Sequence, residues 1–255
     1  MSGARFERFG GATTSFVIEN DRGRVIIDAG TGLQSFGAQT AFSDVTTTLL
    51  LSHYHHDHLA GFPFFRHLFQ PGWELEVAAV PREGLSALAA LTQVHRRPFF
   101  PVPLQDAVRA TLVDRVLDAR GAMERAGLRI EWMEVAHPGG ASAFRIYGEE
   151  SSIVIATDVE LRKQGDEFLE FARGAQWALL DAQFADAEYA QYDGWGHSTA
   201  EDCARFAQAA GIGRLYLTHH DPARGDDAVD ALVARARAIH GDTAGAYDGL
   251  EIVLR

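Results

Sequence analysis

The segment from residue 53 to residue 58 is dense in side chains that commonly bind metal ions. It reads His-Tyr-His-His-Asp-His, and the pattern His-x-His-x-Asp-His within it consists of His53, His55, Asp57 and His58. Imidazole nitrogens and carboxylate oxygens bind zinc, manganese and iron. Core packing does not explain such a run, because unpaired His and Asp side chains are costly to bury. The run therefore predicts a metal site made by these residues, with Tyr54 and His56 outside it.

More residues of this type follow apolar segments that we predict to be strands. Residues 45–51 are β-branched and apolar, and they lead directly into the histidine run. Later apolar segments end at His137, at Asp158 and at His219. In α/β proteins, ligands bind where the carboxyl ends of strands meet, so we expect these three residues to act with the histidine run. His220 is the alternative to His219 as the ligand at the end of that strand.

The order of the predicted elements indicates an α/β fold. Strands are predicted at residues 14–19, 24–28, 75–80, 128–132, 142–147, 152–156, 177–180, 215–218 and 251–254. Helices are predicted over 59–69, 83–94, parts of 104–126 and 226–239, and a glycine-rich loop over 29–32. A capping box at 198–201 begins a further helix, which Gly211 ends. Two mixed sheets covered by outer helices satisfy this order, although periodicity alone leaves other α/β layouts open.

Length, charge and cysteine content limit the class of protein. The chain has 255 residues, enough for one large domain or two small ones, and a formal net charge of −12. That charge repels polyanions and argues against a large nucleic acid as partner. No run of about 18 apolar residues predicts a membrane helix, and the N-terminus lacks the layout of a signal peptide. The single cysteine, Cys203, excludes an internal disulfide, so we expect a cytoplasmic protein without a membrane partner.

The pattern of ligand-type residues resembles that of the metallo-β-lactamase superfamily of binuclear metallohydrolases. The resemblance rests on the histidine run and on His137, Asp158 and His219 in that order, and the strand order extends it over nearly the whole chain. It implies a single domain over residues 1–255, folded as a four-layer αββα sandwich with two mixed β-sheets flanked by helices. It also implies two divalent metal ions. Zinc is the expected metal, and manganese and iron share the same ligands.

The resemblance assigns the ligands to the two ions. His53, His55 and His137 would hold the first ion. Asp57, His58 and His219 would hold the second, and Asp158 would bridge the two. A hydroxide bridging the ions would be the nucleophile, because two cations lower the pKa of a shared water molecule. We also assign Asp57 a catalytic role, whereas Asp28, which follows an early strand, is expected beside the ligands rather than among them.

A second segment narrows the expected activity. Residues 194–199 read Gly-Trp-Gly-His-Ser-Thr and resemble the phosphodiesterase branch, which includes ribonuclease Z and the phosphoribosyl cyclic phosphate phosphodiesterase. In that branch the histidine is not a metal ligand; it donates a proton to the leaving alkoxide or steadies the scissile phosphate, which makes His197 catalytic. A carboxylate should orient its ring, and both Asp181 and Glu160 are candidates. The alternative is that His197 only packs beside the start of a helix.

These expectations combine into a binuclear metal-dependent hydrolase that acts on a small phosphodiester, with cyclic phosphodiesters included. The chain shows no sign of the long arm with which ribonuclease Z grips transfer RNA. Two alternatives stay open: a hydrolase of the same fold acting on a thioester, lactone or lactam, and a metal-binding sensor module without turnover. The loop 95–101 is expected to overhang the site, with Arg96 and Arg97 either contacting phosphate or merely solvated. Phe-rich segments are candidates for a homodimer contact.

Overall fold

The computed structural model describes residues 3–254 and divides them into two compact units. Residues 12–128 form the N-terminal unit. The C-terminal unit consists of the residues from 129 onward together with the residues up to Gly11. The strands form two mixed β-sheets, of five and seven strands, and each unit has an apolar core of its own. The single domain expected over residues 1–255 stays a prediction.

The N-terminal unit begins with a hairpin and continues with parallel strands. Its strands are β1 (Phe16–Asn20), β2 (Gly23–Ile27), β3 (Thr47–Leu50), β4 (Glu74–Ala79), β5 (Thr111–Val116) and β6 (Arg120–Arg125), and its helices are α1 (Thr31–Gln39), α2 (Ala87–Val94) and α3 (Leu104–Ala107). β1 pairs antiparallel with β2, and β2 to β5 pair in parallel in sequence order. Ile27 is in register with Leu50, so the residues that follow β2 and β3 leave the sheet at the same edge.

Large apolar side chains fix the segment that directly follows the histidine run. This segment forms two 3-10 helices, Phe62–Phe64 and Arg66–Phe69. Phe62, Phe65 and Leu68 are fully buried, and their spacing of three matches the period of a 3-10 helix. Each such side chain stabilises the fold by about 1.5–3 kcal/mol when it is buried. The core therefore holds the end of the histidine run in place.

In the N-terminal unit, the prediction for residues 59–69 is wrong, and those for residues 29–32 and 104–126 are confirmed only in part. Residues 59–69 are not an α-helix, because a Cβ atom at Gly61 would lie 1.9 Å from the carbonyl oxygen of Gly30, and this close backbone contact sets the path of the chain. The predicted glycine-rich loop over 29–32 ends at Gly30, because α1 begins at Thr31. Within 104–126, α3 is followed by β5 and β6, whose largely exposed side chains lack the apolar alternation that marks a strand.

The C-terminal unit contains a sheet in which most strands share one direction. Its strands are β7 (Leu128–Val135), β8 (Ala141–Tyr147), β9 (Ser152–Ala156), β10 (Trp177–Asp181), β11 (Arg214–Thr218) and β12 (Thr243–Gly245), and its helices are α4 (Asp166–Ala172), α5 (Ala200–Ala210) and α6 (Asp226–Arg237). β9 to β12 pair in parallel, whereas β8 is antiparallel to both β7 and β9. Hence β7, β9, β10 and β11 point the same way. The predicted class, α/β with two mixed sheets flanked by helices, is confirmed.

Local signals at the helix ends are partly as predicted. Thr199 is the N-cap of α5, and its hydroxyl accepts a hydrogen bond from the Asp202 amide at 3.0 Å, so the N-cap lies one residue later than the predicted capping box places it. α5 ends at Gly211, whose φ of 67° is left-handed. The strand predicted over 251–254 is wrong, because β12 takes the place beside β11. Among the helices of residues 3–254, none has the length and apolar character that crossing a bilayer requires.

Candidate active site

The four predicted ligands of the histidine run lie close together in the N-terminal unit. The run follows β3, and its last three residues form a 3-10 helix. The ring of His53 lies 4.4 Å from that of His55 and 4.2 Å from that of His58, centroid to centroid. Asp57 Oδ2 lies 3.3 Å from His58 Nε2. These side chains therefore form one cluster of nitrogen and oxygen donors.

Asp28 orients two of these rings from the end of β2. Its fully buried carboxylate accepts a hydrogen bond from His58 Nδ1 at 2.8 Å and another from the Ser52 amide at 2.7 Å. The Ser52 hydroxyl donates to Asp28 Oδ2 at 2.8 Å and lies 3.0 Å from His53 Nδ1. Asp28 has a φ of 61°, which is uncommon for a residue other than glycine. Asp28 thus lies beside the cluster of donors and orients the His58 ring directly and the His53 ring through Ser52.

Tyr54 anchors the same loop without joining the donors. Its hydroxyl lies 3.4 Å from the carbonyl oxygen of Val80 and 3.3 Å from that of Leu85. Burial raises the pKa of Tyr54 to about 12. The hydroxyl is therefore protonated at neutral pH and donates to backbone carbonyls.

In the C-terminal unit, strands that point the same way end at residues of the expected site. His137 follows β7, Asp158 follows β9 and His219 follows β11, while Asp181 is the last residue of β10. Asp158 Oδ1 lies 3.8 Å from His137 Nε2, and Asp158 Oδ2 lies 3.6 Å from His219 Nε2. Two ligands of one zinc ion, each about 2.0–2.2 Å from it, lie roughly 3–4 Å apart. Asp158 and each of the two histidines are therefore close enough together to bind a metal ion.

A backbone carbonyl sets the orientation of His137. The ring donates from Nδ1 to the carbonyl oxygen of Gly196 at 2.9 Å, which turns Nε2 toward Asp158. Gly196 has a φ of 88°, and a Cβ atom there would lie 2.4 Å from His137 Nδ1. Only glycine permits this approach of the loop to the ring.

The two histidines after β11 have different surroundings. His219 faces Asp158 and has a φ of 55°, a strained conformation of the kind that clusters at functional sites. The ring of His220 packs edge-on against Phe9 at 5.9 Å. Burial, followed by the charge of His219, lowers the pKa of His220 to about 4, so this ring is neutral at neutral pH. The structure thus places His219 beside Asp158 and the ring of His220 against Phe9.

His197 forms a hydrogen-bonded pair with Asp181. Its Nδ1 lies 2.7 Å from Asp181 Oδ2, and the Asp181 carboxylate is fully buried. Burial raises the pKa of Asp181, and the hydrogen bond from His197 opposes this effect. The His197 ring stacks on that of His219 at 5.2 Å and 16°. Of the two carboxylates considered from the sequence, Asp181 is therefore the partner that fixes the ring.

Glu160 has a different task, which the sequence did not reveal. Its buried carboxylate accepts hydrogen bonds from the amides of Gly194 at 2.9 Å and Gly196 at 3.1 Å, and from the Tyr189 hydroxyl. It thereby fastens the loop whose Gly196 carbonyl orients His137. The alternation of glycines around Trp195 was the available signal that this loop has a special conformation.

The donor set fits divalent metal ions. In His53, His58 and His137, Nδ1 is within hydrogen-bond distance of a hydroxyl, a carboxylate or a carbonyl oxygen, so Nε2 is the atom that would coordinate a metal. Metal-binding histidines are typically held in this way. The one thiol, Cys203, is buried inside α5, so the donors are nitrogen and oxygen. Such ligands suit zinc, manganese and iron alike.

Comparison with known proteins points to one family. A profile described as Beta-lactamase superfamily domain matches residues 23–220. A ribonuclease Z from Gemmatimonas aurantiaca is 39% identical over 89 residues, which are 35% of this chain and 28% of that protein. The probable metallo-hydrolase YhfI from Bacillus subtilis is 26% identical over 212 residues, 82% of this chain and 80% of YhfI. The match to the ribonuclease thus covers less than a third of that protein.

Solved structures show the same fold. The crystal structure of YhfI, described as a metallo-β-lactamase fold protein, aligns with a TM-score of 0.72 and 19% identity over 95% of this chain and 94% of YhfI. A diphosphatase from the PhnP family aligns with a TM-score of 0.69 and 20% identity, over 95% of this chain and 85% of the diphosphatase. At these identities the likeness shows the fold, which agrees with the prediction.

Proposed function

Since the chain belongs to the metallo-β-lactamase superfamily of metal-dependent hydrolases, we propose that it hydrolyses a small phosphodiester. The observation that carries this proposal is the pair formed by His197 and the buried Asp181. An imidazole held by a carboxylate is suited to protonate a departing alkoxide. A thiolate from a thioester needs far less help, because a free thiol already has a pKa of about 8.5. A fixed proton donor therefore favours an alkoxide leaving group.

The proposal includes two divalent ions, with zinc expected and with manganese and iron as alternatives. The residues that would hold one ion are His53, His55 and His137. Those that would hold the other are Asp57, His58 and His219, and Asp158 would be shared. When bound, such ions supply a nucleophile by lowering the pKa of a water molecule and stabilise the charge that develops on phosphoryl oxygens. The approach of Asp158 to both His137 and His219 supports the shared position, and a further catalytic role of Asp57 stays a prediction.

His197 performs the proton transfer in this proposal. The doubly protonated ring keeps one proton at Nδ1 in the hydrogen bond to Asp181 and delivers the other from Nε2 to the leaving oxygen. Asp181 stabilises the charged ring and holds it in the correct tautomer. Stacking on His219 fixes the plane of the ring. The proton donor is therefore positioned before a substrate binds.

A small substrate agrees with the charge of the chain. The ribonuclease among the relatives is named for cleaving RNA, a phosphodiester, but the match covers only part of that protein. The net charge of −12 disfavours a long polyanion, whereas a small anion is drawn to bound cations. We therefore propose a small, linear or cyclic, phosphodiester as the partner of this site.

Turnover of model substrates tests the proposal. The purified chain is supplied with zinc or manganese and assayed with an aryl phosphodiester and with cyclic phosphates. We expect metal-dependent turnover that His55→Ala abolishes and His56→Ala leaves intact, since both histidines are exposed but only His55 is a proposed ligand. The absence of metal-dependent turnover of every phosphodiester tried would refute the phosphodiesterase proposal.

A second variant separates this activity from the alternatives. His197→Ala should lower turnover of alkyl phosphodiesters by more than about tenfold, because general acid catalysis contributes about 10²–10⁴-fold. Unchanged turnover in His197→Ala, together with cleavage of a thioester, lactone or lactam, would favour a different hydrolase of the same fold. Tight metal binding without any turnover would favour a sensor module.

A further inference from the structure

An exposed tryptophan lies two residues before His197, on the loop that leads into α5. The Trp195 side chain is 61% exposed, whereas Trp73 and Trp132 are buried in the cores of their units. A single exposed aromatic residue is common on protein surfaces. Trp195 is unusual because of how its loop is held and because of what its ring contacts.

Hydrogen bonds fix the backbone on both sides of Trp195. The Trp195 amide donates to the carbonyl oxygen of Tyr192 at 3.0 Å. The amides of its two neighbours, Gly194 and Gly196, both donate to the buried carboxylate of Glu160. These glycines have φ values of 84° and 88°, which other residues rarely adopt. The indole is therefore presented by a rigid loop and loses little conformational freedom when a ligand binds.

A series of aromatic contacts connects Trp195 with His197. The Trp195 ring meets Tyr192 edge-on at 5.3 Å, and Tyr192 stacks on Phe184 at 4.1 Å with an interplanar angle of 2°. Phe184 is buried and meets His197 edge-on at 6.1 Å. The packing that supports the proton donor thus also supports the exposed indole.

We propose that the exposed indole of Trp195 binds a planar aromatic ring, such as a nucleobase or an aryl group, carried by the leaving group of the phosphodiester. This inference rests on the proposed function, because His197 defines the side from which the leaving oxygen departs. Trp195 and His197 are two residues apart, so their Cα atoms lie within about 7 Å of each other. In this proposal, a ring stacked on Trp195 belongs to a ligand whose phosphate is bound at the site of His197.

Binding of matched ligands tests the inference without turnover. The zinc-loaded chain is titrated calorimetrically with adenosine 5′-monophosphate and with ribose 5-phosphate, which has the same phosphate but no base. Stacking of a base on an aromatic side chain gives about a tenfold effect. We expect about tenfold tighter binding of the nucleotide, loss of this preference in Trp195→Ala, unchanged affinity for ribose 5-phosphate, and retention of most of the preference in Trp195→Phe.

A control and a kinetic comparison complete the test. Tyr247→Ala removes another aromatic side chain of this unit, 49% exposed, and should leave the preference intact. Trp195→Ala should lower kcat/KM about tenfold for a phosphodiester that releases a nucleoside. It should leave kcat/KM unchanged for a phosphodiester that releases methanol. If Trp195→Ala affects both ligands or both substrates equally, or affects none of them, the inference is overturned. Phosphodiester turnover by the wild type would still uphold the proposed function in that case. A Trp195-dependent ring preference without turnover would support the ring site and refute the phosphodiesterase.

Discussion

Replacement of Asp181 by Asn changes the protonation of His197 with little change in shape. In the wild type, Asp181 Oδ2 accepts from His197 Nδ1 at 2.7 Å, and Oδ1 accepts from the Gln183 amide at 3.1 Å. Asp181 Oδ2 also accepts from the Val159 amide at 3.3 Å, so either orientation of the Asn amide places its NH₂ group against a hydrogen-bond donor. Both orientations lose the carboxylate charge, so the charged His197 ring that delivers the proton is no longer stabilised.

The size of the effect depends on the leaving group. A general acid contributes about 10²–10⁴-fold, or roughly 2.7–5.4 kcal/mol of transition-state stabilisation. Asp181→Asn should therefore lower kcat by about 10²–10⁴-fold for a phosphodiester that releases an alkoxide. A nitrophenolate departs without a proton, so we expect a loss below about tenfold for a nitrophenyl phosphodiester.

The assay compares kcat for the two substrates in the wild type, Asp181→Asn and His197→Ala. Asp166→Asn removes an exposed carboxylate at the start of α4 and serves as the control for lost charge. Thermal unfolding of each variant verifies that the fold is retained. Equal losses for both leaving groups, or full activity of Asp181→Asn on the alkyl substrate, would refute the assignment of His197 as the proton donor.

Three further substitutions test contacts around the site and in the core. Gly196→Ala should lower metal content and destabilise the chain, because the added Cβ atom would lie 2.4 Å from the His137 ring. In Gly194→Ala the added Cβ atom would have no other atom within 4 Å, so this variant adds only backbone strain of about 1 kcal/mol. Chelator competition and thermal unfolding compare the two variants. Asp28→Asn should weaken metal binding by about 10–100-fold, and Asp44→Asn, at an exposed site, should not. Burial, followed by the charge of Arg24, lowers the pKa of His67 in the folded chain. The unfolded chain therefore binds a proton more readily, and the free energy of unfolding falls as the pH drops below about 6.5. Urea unfolding at pH 7 and pH 5 should show a smaller loss of stability in His67→Leu than in the wild type.

The positions of the proposed ligands were predictable because strands and their ends leave clear signals in the sequence. β3, β9 and β11 are short, largely apolar runs, and a His or Asp follows each of them within three residues. Parallel pairing brings such ends to one edge of a sheet, so the order of residues along the chain is enough to group them within a unit. The same reasoning identified Asp28 as a neighbour of the ligands.

Other features depend on contacts between segments far apart in the sequence. Gly61 approaches Gly30 closely, and this contact, rather than any local preference, makes residues 59–69 two 3-10 helices. β5 and β6 are largely exposed, so pairing identifies them as strands and the pattern of side chains does not.

The sequence could not decide whether Asp181 or Glu160 is the partner of His197, because this choice also depends on contacts between distant segments. Both residues follow or end parallel strands, and both carboxylates are buried. Only the path of residues 189–197 decides that Glu160 accepts backbone amides while Asp181 accepts the imidazole proton. That path is set by left-handed glycines, whose identity in the sequence indicates a turn but not its direction.

Zinc titration of the metal-free chain tests the central claim most directly. The chain is stripped with a chelator, zinc is added in defined equivalents, and turnover of an aryl phosphodiester is measured at each step. A binuclear phosphodiesterase should stay inactive without zinc and reach full turnover when two equivalents per chain are bound. Turnover that persists without zinc, saturates at one equivalent or is absent at two would contradict the proposal that two ions act together in phosphodiester hydrolysis.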